Sequence, residues 1–106
     1  MKHSSLDYAN VRKALNLLRA CNNRIRQQFL HILMEYDELN LNDLAKIAKL
    51  DQGAVKSHLA IMLRAEVVLN KARGKEVVYY LNEDKLRQIK RALTNYFSPV
   101  ESVATR

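Results

Sequence analysis

Glycine and proline are nearly missing from this 106-residue chain, at two and one residues. All-β sandwiches and barrels use these residues at their many turns, so the scarcity argues against such a design and for long helices. Cysteine occurs once, at Cys21, which excludes an intrachain disulfide and any need for an oxidising compartment. The cytoplasm is the expected location. No apolar run approaches the roughly 20 residues that span a bilayer, and no signal-peptide core precedes Arg12 and Lys13. No membrane partner is expected. The marks of catalysis are missing as well: there is no glycine-rich phosphate loop, no Ser or Cys nucleophile matched to a histidine, and no recognisable metal cluster. An enzyme is not expected.

Acidic residues are in short supply, 11 against 18 Lys and Arg, for a formal charge of +7. Such an excess attracts polyanions, although a merely solubilising basic surface has the same composition, and position must separate the two. Position favours the first reading. Between residues 42 and 75 stand Lys46, Lys49, Lys56, Arg64, Lys71, Arg73 and Lys75 against Asp43, Asp51 and Glu66, whereas the stretch from Glu35 to Glu38 is acidic.

At this length one core is the starting expectation, because a chain of this size buries roughly two-thirds of its unfolded surface. From Leu6 to Cys21, Val11, Ala14, Leu15, Leu18 and Cys21 recur at helical spacing and predict a first amphipathic helix. Asn22 or Asn23 caps a second, whose face of Ile25, Phe29, Ile32, Leu33 and Tyr36 is expected to be core. Asn42 is read as the cap of a short third helix with Leu44, Ile47 and Ala48, ending near Leu50. Asp51 caps a fourth helix from Gln52 to about Ala65 with Val55, Leu59, Met62 and Leu63 on one face. Two short helices across a tight turn predict a helix-turn-helix. The β-branched and aromatic runs on either side of Gly74 predict a β-hairpin with Arg73 and Lys75 at its tip, a basic wing. Asn82 caps a last helix with a stripe of Leu86, Ile89, Leu93 and Tyr96 or Phe97. Residues 1–97 then form a single domain, and 98–106, which follow no periodicity and contain Pro99, are expected to be a disordered tail.

From Leu15 to Phe97 the chain resembles the ArsR/SmtB family of winged-helix repressors. Asn23-Arg24-Ile25-Arg26 is similar to that family's second-helix entry. Residues 50–59, Leu-Asp-Gln-Gly-Ala-Val-Lys-Ser-His-Leu, are similar to its recognition helix, and residues 73–81 to its wing and returning strand. The fold expected is therefore mainly α with a small β-hairpin, a winged helix-turn-helix in the order α1-α2-(short β)-α3-α4-β-β-α5. Residues 38–44, Glu-Leu-Asn-Leu-Asn-Asp-Leu, are similar to the family's metal-sensing box Glu-Leu-Cys-Val-Cys-Asp-Leu, with asparagine at both cysteine positions. A neutral amide oxygen is a poor substitute for a thiolate toward soft or borderline ions. The family's other metal site draws on the last helix, yet His3, His31 and His58 all precede it, and Glu83 and Asp84 suit a helix first turn. No metal and no cofactor are expected, and the effector is unknown.

The fourth helix is expected in the major groove of double-stranded DNA. Gln52 is the candidate base contact, since glutamine pairs in two places with adenine; Gly53 and Ala54 allow close approach, and Lys56 and Ser57 reach bases or phosphates. Lys71, Arg73 and Lys75 on the wing are candidates to meet phosphates or the minor groove, Lys46 and Lys49 on the third helix to touch the backbone, and Arg64 is a further candidate DNA contact. A solvated helix face and a solubilising hairpin are the plain alternatives. His58, among apolar positions, is read as structural, and Cys21 as a small core residue. One monomer reads too few base pairs to select a promoter, so a homodimer on a palindromic operator is expected. It would be built from Val11, Leu15 and Leu18 with Leu86, Ile89, Leu93 and Phe97, unless both stripes are used within one subunit. The function expected is a sequence-specific transcriptional repressor; the alternative is a winged-helix module that docks on a protein or RNA.

Overall fold

The computed structural model describes residues 8–91. Its elements are α1 (Tyr8–Cys21), α2 (Arg24–Tyr36), β1 (Glu38–Asn40), α3 (Leu41–Ala48), α4 (Gln52–Arg64), β2 (Val68–Arg73) and β3 (Glu76–Leu81). Residues 83–91 are helical and constitute the described part of α5. Leu6, Leu93, Tyr96, Phe97 and the tail expected at 98–106 lie outside the described residues. This is the winged helix-turn-helix expected from the sequence. Among the described residues no helix is long and apolar enough to cross a membrane.

The core forms where α2, α4 and the sheet meet. Phe29, Leu33, Leu44, Val55, Leu59, Met62, Val67 and Val68 are fully buried there. Asn23 holds the entry to α2, its side-chain oxygen accepting from the Arg26 amide at 3.0 Å. The far end of that helix departs from expectation: Tyr36 is 50% exposed, because the chain reverses at Asp37 (φ 65) into β1 and leaves the last turn uncovered. The cap of α3 is Asn40, not Asn42, its Oδ1 accepting from the Asp43 amide at 2.7 Å. Helix therefore starts directly at the end of β1.

With glycine so scarce, two helix ends use other residues in the left-handed conformation that glycine usually supplies. Lys49 (φ 61) ends α3, which stops at Ala48 rather than near Leu50; the Leu50 amide reaches back to the Ala45 carbonyl at 3.1 Å. Glu66 (φ 64) follows α4, with the Val67 amide on the Met62 carbonyl at 3.1 Å. The first of these reversals makes the tight helix-helix turn, and Asp51 then caps α4 through the Ala54 amide at 3.4 Å. Gly74 (φ 66) sits in the two-residue loop that closes the hairpin, between Arg73 and its cross-strand partner Glu76.

The sheet order is β1-β3-β2, antiparallel throughout, with Leu39 opposite Tyr79 and Asn70 opposite Tyr79 on the other side. Asn82 joins the sheet to α5: its backbone amide and side-chain nitrogen donate to the carbonyls of Val67 and Glu66, while its Oδ1 accepts from the Lys85 amide.

The apolar residues of α1 divide between two faces. Ala20 is fully buried and Leu17 and Cys21 pack on the core, whereas Val11, Leu15 and Leu18 are 41%, 59% and 60% exposed. On α5, Ile89 packs against the core and Leu86 is half-buried.

Candidate nucleic-acid interface

Helical periodicity sorts the residues of α4. Val55, Leu59 and Met62 are buried, and Gln52, Gly53, Lys56, Ser57, Ala60 and Arg64 are exposed. Ala54 is half-buried at the edge of this face. Gly53 has a local role as well, since a Cβ there would stand 3.2 Å from Asp51 Oδ2. Ala60 was not singled out in the sequence, although its spacing from Lys56 and Ser57 places it in line with them.

Gln52 and Lys56 line one cleft together with Asn40, Leu41 and Asn42 of the α3 entry and Glu76, Val77 and Tyr79 of β3. Two amides hold its walls. Gln52 Nε2 donates to Asn42 Oδ1 at 3.0 Å, and Asn40 Nδ2 donates to Glu76 Oε1 at 2.5 Å. Both asparagines of the Glu-Leu-Asn-Leu-Asn-Asp-Leu segment are thus engaged, one with the wing and one with α4. Among the described residues no group of three or more His, Cys, Asp or Glu is placed to hold a metal.

The remaining candidates fall in three places. Lys46 and Lys49 are exposed on α3 and the turn. Arg64 is twelve residues beyond Gln52, roughly 18 Å along the helix at 1.5 Å per residue. There it lines a cleft with Lys13, Asn16 and Leu17 of α1 and with Glu66 and Lys85, away from the Gln52 end. On the wing, Glu38 of β1 reaches across the central strand and takes Arg73 in a two-point pair, Nε at 2.6 Å and Nη2 at 2.9 Å, with Lys71 Nζ at 3.5 Å. Lys71 also lies over the Tyr80 ring, 4.9 Å from its centroid. The Arg73 hydrogen bond holds the Glu38 carboxyl below its ordinary value; burial opposes this, and the charges of Arg73 and Lys71 reinforce it. The tip was expected to present Arg73 and Lys75 alike, but among the described residues only Lys75 of the two lacks an ion-pair partner.

Sequence reasoning overlooked Arg26. This guanidinium is 7% exposed and closes the end of α1: Nε donates to the Ala20 carbonyl at 3.0 Å, and Nη2 donates to the Arg19 carbonyl at 2.8 Å. Its Nη1 lies 3.0 Å from His58 Nδ1 on α4. Guanidinium only donates, so Nδ1 accepts and the ring proton sits on Nε2. His58 is half-buried and meets Phe29 edge to face at 5.9 Å. Burial, with the Arg26 charge second, pushes the His58 pKa below its ordinary 6.5. The spacing of Arg26 three and seven residues before Phe29 and Leu33 was the available signal: it placed a charge on a buried face. Cys21 is half-buried, and burial raises its thiol, with Arg26 opposing, so thiolate is disfavoured.

A surface helix following a tight turn, flanked by a three-stranded wing, matches known regulators. The family model described as "Bacterial regulatory protein, arsR family" covers residues 23–69. Over those residues the chain is similar to the ArsR family. It is similar to HlyU from Vibrio cholerae N16961, at 28% identity and TM-score 0.66 over 87% of this chain and 99% of that one. It is also similar to the transcriptional repressor PagR of Bacillus anthracis, at 28% identity and TM-score 0.67 over 82% and 99%. NolR from Sinorhizobium fredii, 22% identical with TM-score 0.69 over 92% and 94%, shares the fold. Comparison with curated protein sequences gives no match.

Proposed function

We propose that this protein is a regulator of the ArsR family, a cytoplasmic, homodimeric repressor that reads a palindromic operator with the outward face of α4 and answers to a signal other than a metal ion. The exposed row Gln52, Gly53, Lys56 and Ser57 at the capped end of α4 carries this reading, because that end offers base-pairing side chains while Val55, Leu59 and Met62 anchor the helix below. The likeness to PagR, described as a transcriptional repressor, supports the direction of regulation. The outward stripe of Val11, Leu15 and Leu18 supports the dimer. Use of both Asn40 and Asn42 as hydrogen-bond struts supports a signal other than a metal.

Selection of duplexes from a randomised pool tests the reading. Enrichment of a palindrome bound at least a thousandfold more tightly than scrambled DNA is the expected result, in line with specific sites generally. Gln52→Ala is expected to weaken that site by roughly five- to a hundredfold and to leave scrambled DNA almost unaffected. Uniform weak binding to every duplex would instead point to a protein- or RNA-docking module.

The wing makes a separate prediction. Glu38→Gln releases Arg73 and Lys71 from their shared carboxylate. Affinity for scrambled duplex at low salt is expected to rise several-fold, and the slope of log K against log salt to steepen by about 0.9 for each cation that gains a phosphate. An unchanged slope in filter-binding titrations would mean that neither cation meets DNA.

A further inference from the structure

The amide of Gln52 is hydrogen-bonded to the neighbouring helix. Asn42 is the second residue of α3 and Gln52 the first of α4, and the left-handed turn at Lys49 brings the two helix entries side by side. One of the two Gln52 Nε2 hydrogens is committed to Asn42 Oδ1 at 3.0 Å. The amide then has one carbonyl oxygen and one N–H left to offer, in one plane. Adenine's major-groove edge carries the complement, an N6 donor next to the N7 acceptor. Guanine's edge carries two acceptors, O6 and N7, and would set its O6 against the Gln52 carbonyl. A glutamine with both N–H hydrogens free can also give them to O6 and N7 of guanine, so the bond to Asn42 narrows a choice that the side chain alone leaves wider.

The geometry points to Asn42 as the positioning residue that makes Gln52 select adenine over guanine. This rests on the proposed reading of α4 as the base-reading helix. Asn42 acts through Gln52. Its exposed position near the start of α3, outside the core, means that its loss alters recognition while the fold persists.

The test uses the full chain and the duplex that wild type enriches from a randomised pool. Each purine is exchanged in turn, adenine for guanine, and binding is measured for wild type, Gln52→Ala, Asn42→Ala and Asn42→Asp. Wild type is expected to prefer adenine by roughly tenfold to a hundredfold at one symmetric pair of positions, and Gln52→Ala to erase that preference. Asn42→Ala is expected to shrink it to about threefold or less while retaining the wild-type melting temperature within a few degrees. Asn42→Asp keeps an acceptor for Gln52, so it should retain the adenine preference while its negative charge lowers affinity for all duplexes alike. A full adenine preference in Asn42→Ala overturns the proposal. So does a Gln52→Ala protein with unchanged base preference, in which case α4 still reads DNA through other residues. If wild type enriches no sequence at all, the reading of α4 fails and this inference falls with it.

Discussion

Glutamate at both Leu15 and Leu18 is expected to convert the protein into a folded monomer that binds its operator at least a hundredfold more weakly. The two leucines are 59% and 60% exposed, next to Val11 on the outer face of α1, so their loss removes nothing from the core of the chain itself. Covering a leucine side chain is worth about 1.5–3 kcal/mol. A two-fold interface repeats each substitution, so the change removes four leucines and brings four carboxylates together. A monomer then holds one half-site and forfeits the second. Sedimentation at micromolar concentration, with circular dichroism to verify the fold, is the measurement. A dimer of undiminished affinity would place the interface elsewhere.

Arg26→Met is expected to cost about 3–5 kcal/mol, from three acceptors left without a donor, enough to lower the melting temperature by on the order of 15–25 °C in a domain of this size. The cost comes from what the guanidinium leaves behind. The carbonyls of Arg19 and Ala20 at the end of α1, and the Nδ1 of His58, each lose their donor. Positive charge at a helix C-terminus also offsets the helix dipole there. Arg26→Lys keeps that charge, but a single ammonium cannot reach all three acceptors with the same geometry, so an intermediate loss is expected. Wild-type stability within a kcal/mol in Arg26→Met, by urea denaturation, would show that these bonds are replaced by water at no cost.

The same contact sets a pH dependence. The folded state depresses the His58 pKa, by burial first and by Arg26 second, so the unfolded chain binds more protons. The stability from neutral His58 is complete above its ordinary 6.5 and is lost as pH falls below that value. His58→Gln still offers Arg26 an acceptor and does not titrate, so its stability should stay level where wild type first declines. Glu38 acts in a lower window: its depressed carboxyl contributes above its ordinary 4.5 and loses that contribution as pH falls below it.

Elements whose cause lies within a few residues were legible in the sequence. Asn23, Asp51 and Asn82 are caps because an amide or carboxylate side chain reaches an amide three residues on, and each does so in the structure. Asn42 failed by the same logic. It has the right chemistry, but Asn40 took the cap because β1 delivers the chain to α3 two residues earlier. Tyr36 fits the stripe of α2 by spacing and was exposed because the strand that follows turns away. Arg64 belongs to the basic stretch by position in the chain, while the length of α4 separates it from Gln52.

Periodicity, caps and turn glycine determined the order of helices and strands, since each is a rule about neighbours in the chain. Only the tertiary structure decided that Arg26 meets His58, that Glu38 occupies Arg73, that Asn42 holds Gln52, and that one apolar face of α1 stays uncovered. The residues in these three pairs are 32, 35 and 10 positions apart. The packing of α2 against α4, the pairing of β1 and β2 with β3, and the turn at Lys49 between α3 and α4 bring these groups together.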